Sequence, residues 1–195
     1  MNKTKKLVQN IVRRINMKKG IFIVVILVLL TGCTNISNTP TKQVEGLFNK
    51  YQTLDQEVLN DLDKVIDENN YFSEETRQEY REIIKKQYKN LTYKIKEETV
   101  DADAAIVTVE INVVDFSRIL ASSVDYKNNN LEEFLDENGQ YQQSLYSKYV
   151  IEQMKDAKER IKYTLDIKLS KIDDEWRIDG IDSETEDKIL GIYQY

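Results

Sequence analysis

The sequence predicts an α+β fold in which a curved antiparallel sheet packs on helices. Two observations carry this. Apolar residues recur in blocks at helical spacing, and between the blocks the period drops to two over two pairs of adjacent stretches. Each period-two pair flanks an acidic turn, so the strands pair locally and segregate from the helices. The composition agrees: 41% of the 195 residues are apolar and 32% charged, with twelve Tyr, five Phe and a single Pro. That is a globular balance with ample bulky material for a core and few chain breakers.

The chain opens with a different kind of segment. Residues 17–35 read MKKGIFIVVILVLLTGCTN. Met17, Lys18 and Lys19 form a cationic head, which the positive-inside bias holds on the cytoplasmic side. The apolar run that follows, Ile21 to Leu30, has ten residues, about half of the roughly 20 a spanning helix needs. A cationic head before a short apolar run is the pattern of a signal peptide. Leu30-Thr31-Gly32-Cys33 comes next and resembles the bacterial lipobox. The resemblance implies a diacylglyceryl group on the Cys33 thiol and cleavage just before that residue. Two acyl chains hold a protein stably at a bilayer, at about 0.8 kcal/mol per buried CH₂. Residues 1–32 are thus expected to be a signal peptide, with Met17 as a possible true start or Met1 opening a long n-region that is discarded, and residues 33–39 a lipidated Cys and polar tether. Residues 40–195 are the single folded domain, on the extracytoplasmic face of the cell membrane.

Removing residues 1–32 takes away seven of the 28 basic residues and none of the 34 acidic ones, leaving a net charge near −13. Such a chain repels phosphate backbones, so nucleic acid is not an expected partner. The sequence has no His and one Cys. Ser-His-Asp triads, Cys-His pairs, His-ligated metals and internal disulfides are all excluded.

The elements of the domain follow in order. Thr39-Pro40 reads as an N-cap followed by Pro at the first helical position. Val44, Leu47, Phe48 and Tyr51 then make an amphipathic helix. Leu54, Val58, Leu62 and Val65 or Ile66 carry a second stripe, continuing the first helix or forming its own. Ser73 caps a third helix, with Glu74 and Glu75 in its first turn and Tyr80, Ile83, Ile84 and Tyr88 or Gln87 inward. Leu91, Tyr93 and Ile95 alternate as a strand. After a turn near residues 100–103, Val107, Val109, Ile111 and Val113 line the return strand. Weak helical spacing covers Phe116 to Tyr126, and residues 127–139 read as loop with a short turn at Leu131 to Leu135. Gln140 to Arg160 reads as a helix with Leu145, Tyr149, Val150, Met154, Ala157 and Ile161 inward. Tyr163, Leu165, Ile167 and Leu169 alternate again. Asp173-Asp174-Glu175 turns the chain into Trp176 and Ile178. Ser183-Glu184-Thr185-Glu186 is a capping box opening a last short helix through Ile189 and Leu190.

The Pro-led helix, valine-rich hairpin and terminal KIDDEWRIDGI of residues 171–181 resemble the NTF2-like (cystatin-like) lipoproteins. The long helical portions at 54–90 and 116–160 are similar to the DUF5105-type small lipoproteins. The resemblance implies a sheet wrapped on a long helix as a cone. In such proteins the cone binds small apolar ligands, catalyses, or is filled by side chains.

The chemistry read from the residues is sparse. Tyr93 and Tyr163 could serve a carboxylate–tyrosine enzyme of ketosteroid-isomerase type. However, Asp115, at a strand end, is the single carboxylate on a predicted inward strand face. Tyr93, Tyr163 and Trp176 are the candidate binding residues, with Tyr141, Tyr146, Tyr149, Tyr193 and Tyr195 as a further aromatic set. Asp101/Asp103, Asp173/Asp174/Glu175 and Asp136-Glu137-Asn138-Gly139 offer oxygens. Tested as a calcium loop, the last would put Phe134 and Leu145 at ligand positions, and it fails. No metal or cofactor is expected. The expected function is a non-catalytic module that recognises a small ligand or an envelope protein through the cone opening or the 127–140 loop. The alternatives are a cavity-based enzyme and a purely structural envelope protein. A desolvated carboxylate in an apolar cavity would mark the enzyme.

The anchor reading predicts that Cys33→Ala accumulates as a full-length precursor without lipid, read by mass spectrometry of membrane fractions. Lipidated, processed protein from that variant would refute it.

Overall fold

The computed structural model describes residues 38–68 and 73–194, so the predicted signal peptide, lipobox and Cys33 lie outside the described residues. Within the unit Pro40–Tyr195, the first three helices are α1 (Pro40–Thr53), α2 (Gln56–Glu68) and α3 (Glu74–Asn90). The hairpin β1 (Thr92–Asp101) and β2 (Ala104–Val114) follows, then α4 (Phe116–Asn129), a 3-10 turn (Leu131–Phe134) and α5 (Gln143–Asp156). The second hairpin is β3 (Arg160–Ile172) and β4 (Glu175–Ile178), and α6 (Ser183–Leu190) closes the chain. The fold class is α+β, as the alternation of periods required.

The four strands form an open antiparallel sheet in the order β1-β2-β3-β4. Period two gives it one dry face and one wet face. Ala105, Val107, Val109, Ile111 and Val113 of β2, with Tyr163, Leu165, Ile167 and Leu169 of β3, are buried beneath the helices. On the wet face Glu110 sits between Lys96 at 3.0 Å and Lys162 at 3.2 Å, and those two bonds hold its carboxyl below the usual range. Helix α1 packs against β1, β2 and β4, so both edges of the sheet turn toward one helix.

That docking depends on a β-bulge. The register shifts between Ile95 and Glu97, so Glu97 pairs with Thr108 on the wet face and Glu98 with Val107 on the dry face. Strict alternation would have sent Glu98 to solvent. Instead its carboxylate accepts from Thr41 N at 2.9 Å and Thr41 Oγ1 at 2.6 Å. This is a long-range N-cap on α1, where the helix dipole favours an anion. Leu54 then adopts φ 56°, a left-handed turn that separates α1 from α2. The Asp55 carboxylate accepts from Glu57 N at 3.0 Å and restarts the helix.

Three boundaries differ from the sequence reading. The predicted helix Gln140–Arg160 is shorter: it runs Gln143–Asp156, and Ile161 lies in β3. Cross-strand pairing wins over helical spacing there. Arg160 pairs with Val114, and its guanidinium donates to Asn112 O at 2.6 Å and Asn90 O at 3.0 Å. Leu145, expected inward, is 42% exposed. The 127–139 loop is largely ordered by local bonds. The Asp136 carboxylate accepts from Asn138 N and Gln140 N, each at 2.9 Å, and Leu135 bridges to Tyr141. Finally, Asp182 and not Ser183 caps α6: its carboxylate accepts from Thr185 N at 2.8 Å. Hydrogen bonds from the Thr185 side chain and backbone hold the Asp182 carboxyl below the usual range. A charged acceptor outcompetes a hydroxyl at a positive helix end.

One buried polar residue ties these layers together. Gln87, 2% exposed in an otherwise apolar stripe, donates from Nε2 to Val114 O at 3.0 Å and to Leu190 O at 3.1 Å. Its Oε1 accepts from Val114 N at 3.0 Å. The amide thus joins α3, the end of β2 and the end of α6. Gly191 fits against it at φ 76°, where an added Cβ would lie 2.1 Å from Val114 O and 2.7 Å from Gln87 Nε2. Replacing Gln87 by Leu strands three backbone groups, at about 1–3 kcal/mol each. Gln87→Leu is expected to lower unfolding free energy by at least about 3 kcal/mol in urea titrations. Gly191→Ala should be comparably damaging. Wild-type midpoints in both variants would contradict this account.

Candidate functional site

The sequence-nominated binding residues are not brought together. Tyr93 on β1 and Tyr163 on β3 share one cross-strand row, with Ile111 between them. Both belong to the packed layer. Tyr93 is half-buried and stacks on Phe48 at 4.8 Å. Tyr163 is buried and donates its hydroxyl to Tyr193 O at 3.3 Å. Trp176, half-buried on β4 and paired with Lys171, packs against the core at the other edge of the sheet. Of the further aromatic set, Tyr146 and Tyr149 build a satellite cluster with Tyr126 and Phe134. Tyr126 and Tyr149 stack at 4.7 Å, and Phe134 meets Tyr146 edge-on at 5.6 Å. Lys127 Nζ covers Tyr146 at 4.7 Å. These rings order the 127–141 segment. The acidic turns do not converge: among the described residues no three His, Cys, Asp or Glu side chains form a group that could hold a metal ion.

What the structure adds is a groove of about 460 Å³ between α3 and α5. Its apolar surface comes from Ile83 on α3, Val114 at the end of β2, Phe116 on α4, Met154 on α5 and Ala157 just beyond it. Ile83 and Met154 carry the inward stripes of their helices, so the same periodicity that builds the core supplies the floor. Gln87 and Asn90 close the end nearest the sheet, and Gln78, Glu79, Glu82 and Lys86 form the wall along α3. Lys155 Nζ reaches across to Glu79 at 2.9 Å and also holds Glu152 at 2.9 Å. Glu82 is mostly exposed and bonds Lys85 at 2.7 Å. Both carboxylates of the groove are thus rim groups with a cation beside them, a poor setting for a general base that must be desolvated to act. The arrangement can hold an apolar body and orient a polar end.

Sequence reasoning selected Ile83 and Met154 as core residues, which they are, and missed that they also line a groove. The one available signal was Gln87, a polar residue inside the α3 stripe.

A buried tyrosine group lies on the other side of α3. Burial pushes Tyr51 and Tyr80 up to about 12, with Glu186 and Asp187 respectively adding to it, and burial raises Tyr88 as well. A phenol raised above its unfolded value near 10 favours folding below that pH and loses the contribution as pH climbs through the folded value. Stability is therefore expected to hold up to about pH 10 and fall between about 10 and 12. Tyr80→Phe should flatten that fall in guanidinium melts across the window. A pH-independent stability to 12 would count against it.

Against known proteins, no family model matches the chain and no curated protein matches it. One solved structure does, a candidate lipoprotein (ycdA) from Bacillus subtilis, at 21% identity and a TM-score of 0.37. The match covers 62% of this chain and 38% of that protein's length. Neither fold nor function is carried over from it.

Proposed function

We propose that this chain is a lipid-anchored extracytoplasmic binding module without catalytic activity, and that the α3–α5 groove takes a small, largely apolar ligand. The address rests on residues 17–33, whose cationic head, ten-residue apolar run and Leu30-Thr31-Gly32-Cys33 suit processing and acylation at Cys33. Among the described residues no helix is long and apolar enough to cross a membrane, so under this reading the acyl chains supply the attachment.

The observation that carries the binding function is the groove. Its volume of about 460 Å³ suits a small molecule. Ile83, Phe116 and Met154 give it an apolar interior, and the Lys155–Glu79 pair stands at its mouth. The cavity-enzyme alternative needs a desolvated carboxylate inside an apolar cavity. Within the α3–α5 groove Glu79 and Glu82 do not meet that requirement, because each is engaged by a lysine at the rim; the carboxylate that burial holds above its usual range, Glu186, lies in a separate groove, and a catalytic reading would have to start there.

Native mass spectrometry on residues 34–195, after incubation with a lipid extract, is expected to show a stoichiometric small-molecule adduct. Met154→Arg, which places a long cation in the groove, should remove it. Bare protein under the same conditions, or an adduct that survives Met154→Arg, would refute the assignment.

A further inference from the structure

A second groove, of about 510 Å³, opens between α1, α2, α3 and α6. Leu47, Val58, Leu62 and Ile181 give it apolar walls. Most of its charge is internally neutralised: Lys50 bonds Glu57 at 2.5 Å and Lys64 bonds Asp61 at 2.9 Å. One charge is left over. The half-buried side chain of Glu186 makes no hydrogen bond or ion pair among the described residues. Burial holds its carboxyl above the usual range, and Asp187 and Asp61 push it further in the same direction.

Tyr88 is the second, independent feature. It is 4% exposed, lines this groove and meets Tyr51 edge-on at 4.9 Å. Its hydroxyl makes no hydrogen bond among the described residues, and its side chain is part of the groove's lining. A buried hydroxyl without a partner and a half-buried carboxylate without a counter-charge both cost stability. An ammonium group answers both. In this groove it can donate to the Glu186 carboxylate and to the phenol oxygen of Tyr88, both of which belong to the lining. The carbon body of such a molecule suits the apolar walls. A divalent metal ion suits the site poorly, because it wants several oxygen ligands and no cluster of three acidic side chains exists among the described residues. Anions are repelled by Glu186.

We propose that this groove binds a small organic ammonium compound, with Glu186 as its counter-ion and Tyr88 as its buried hydrogen-bond acceptor. The site lies on other elements than the α3–α5 groove, apart from their shared helix α3, and does not depend on the function assigned there.

The test is calorimetric titration of the full chain in phosphatidylcholine nanodiscs with phenethylammonium, with empty nanodiscs subtracted and the neutral isostere 2-phenylethanol as comparison. Saturable one-to-one binding of phenethylammonium is expected, with 2-phenylethanol at least tenfold weaker. Glu186→Gln should weaken phenethylammonium at least tenfold and Tyr88→Phe about threefold or more, with circular dichroism confirming both folds. Absence of saturable binding, equal binding of the neutral isostere, or unchanged affinity in Glu186→Gln overturns the proposal. Should a variant fail to fold, the comparison of the two probes on the wild-type chain decides.

Discussion

The arrangement turns on the Gln87 amide. A helix, a strand end and a second helix end converge there, each bringing backbone groups that a dry interior cannot leave unpaired. One side chain satisfies three of them, and the donor and acceptor pattern allows a single orientation: Nε2 toward Val114 O and Leu190 O, Oε1 toward Val114 N. Gly191 completes the joint because no other residue offers both its φ and its lack of a Cβ. The C-terminal helix is held by this joint, and Ser117 N donates to Gly191 O at 2.8 Å so that α4 starts from the same point. The α3–α5 groove begins where this joint ends, with Gln87 and Val114 in its lining.

A similar economy holds at the opposite end of α1. The β1 bulge turns Glu98 toward α1, and Glu98 then caps the helix that follows the predicted tether. A local irregularity in one strand thereby sets where the chain enters the domain. The two grooves follow from the layering. A four-stranded sheet buries one face, and the six α-helices among the described residues are more than that face can take. Helices α1, α2, α5 and α6 all pack against α3, while α4 packs on α5, and α3 comes to have a groove on each side. One is apolar with ion pairs at its rim, and the other keeps a carboxylate and a phenol that have no partner among the described residues.

Much of the fold was legible because both periods are strong. Val107, Val109, Ile111 and Val113 could face only one way, and so could Tyr163, Leu165, Ile167 and Leu169. Ser73 does cap α3, through Thr76 N. The failures fell where local signals compete with distant partners. Arg160 and Ile161 suit a helix by spacing, but β2 offered them a full-length ladder. Ser183 fits a capping box, and Asp182 one residue earlier is the stronger acceptor. The candidate residues were chosen as aromatics on strands, and such residues mostly pack sheets. The grooves instead depend on which helices end up facing each other.

By itself the sequence determined the segregation of helices from hairpins, the dry face of the sheet and the exclusion of His- and disulfide-based chemistry. It also set the expectation of an acylated Cys33. These follow from residue identity, or from periods of two and 3.6 that any chain of this pattern must obey. The tertiary structure alone decided which backbone groups Gln87 joins, and that Glu98 caps a helix 57 positions away. It likewise decided that Glu186 and Tyr88 share a groove. Each of these is a pairing across long separations in sequence, and no local pattern encodes which distant groups will be left without a partner.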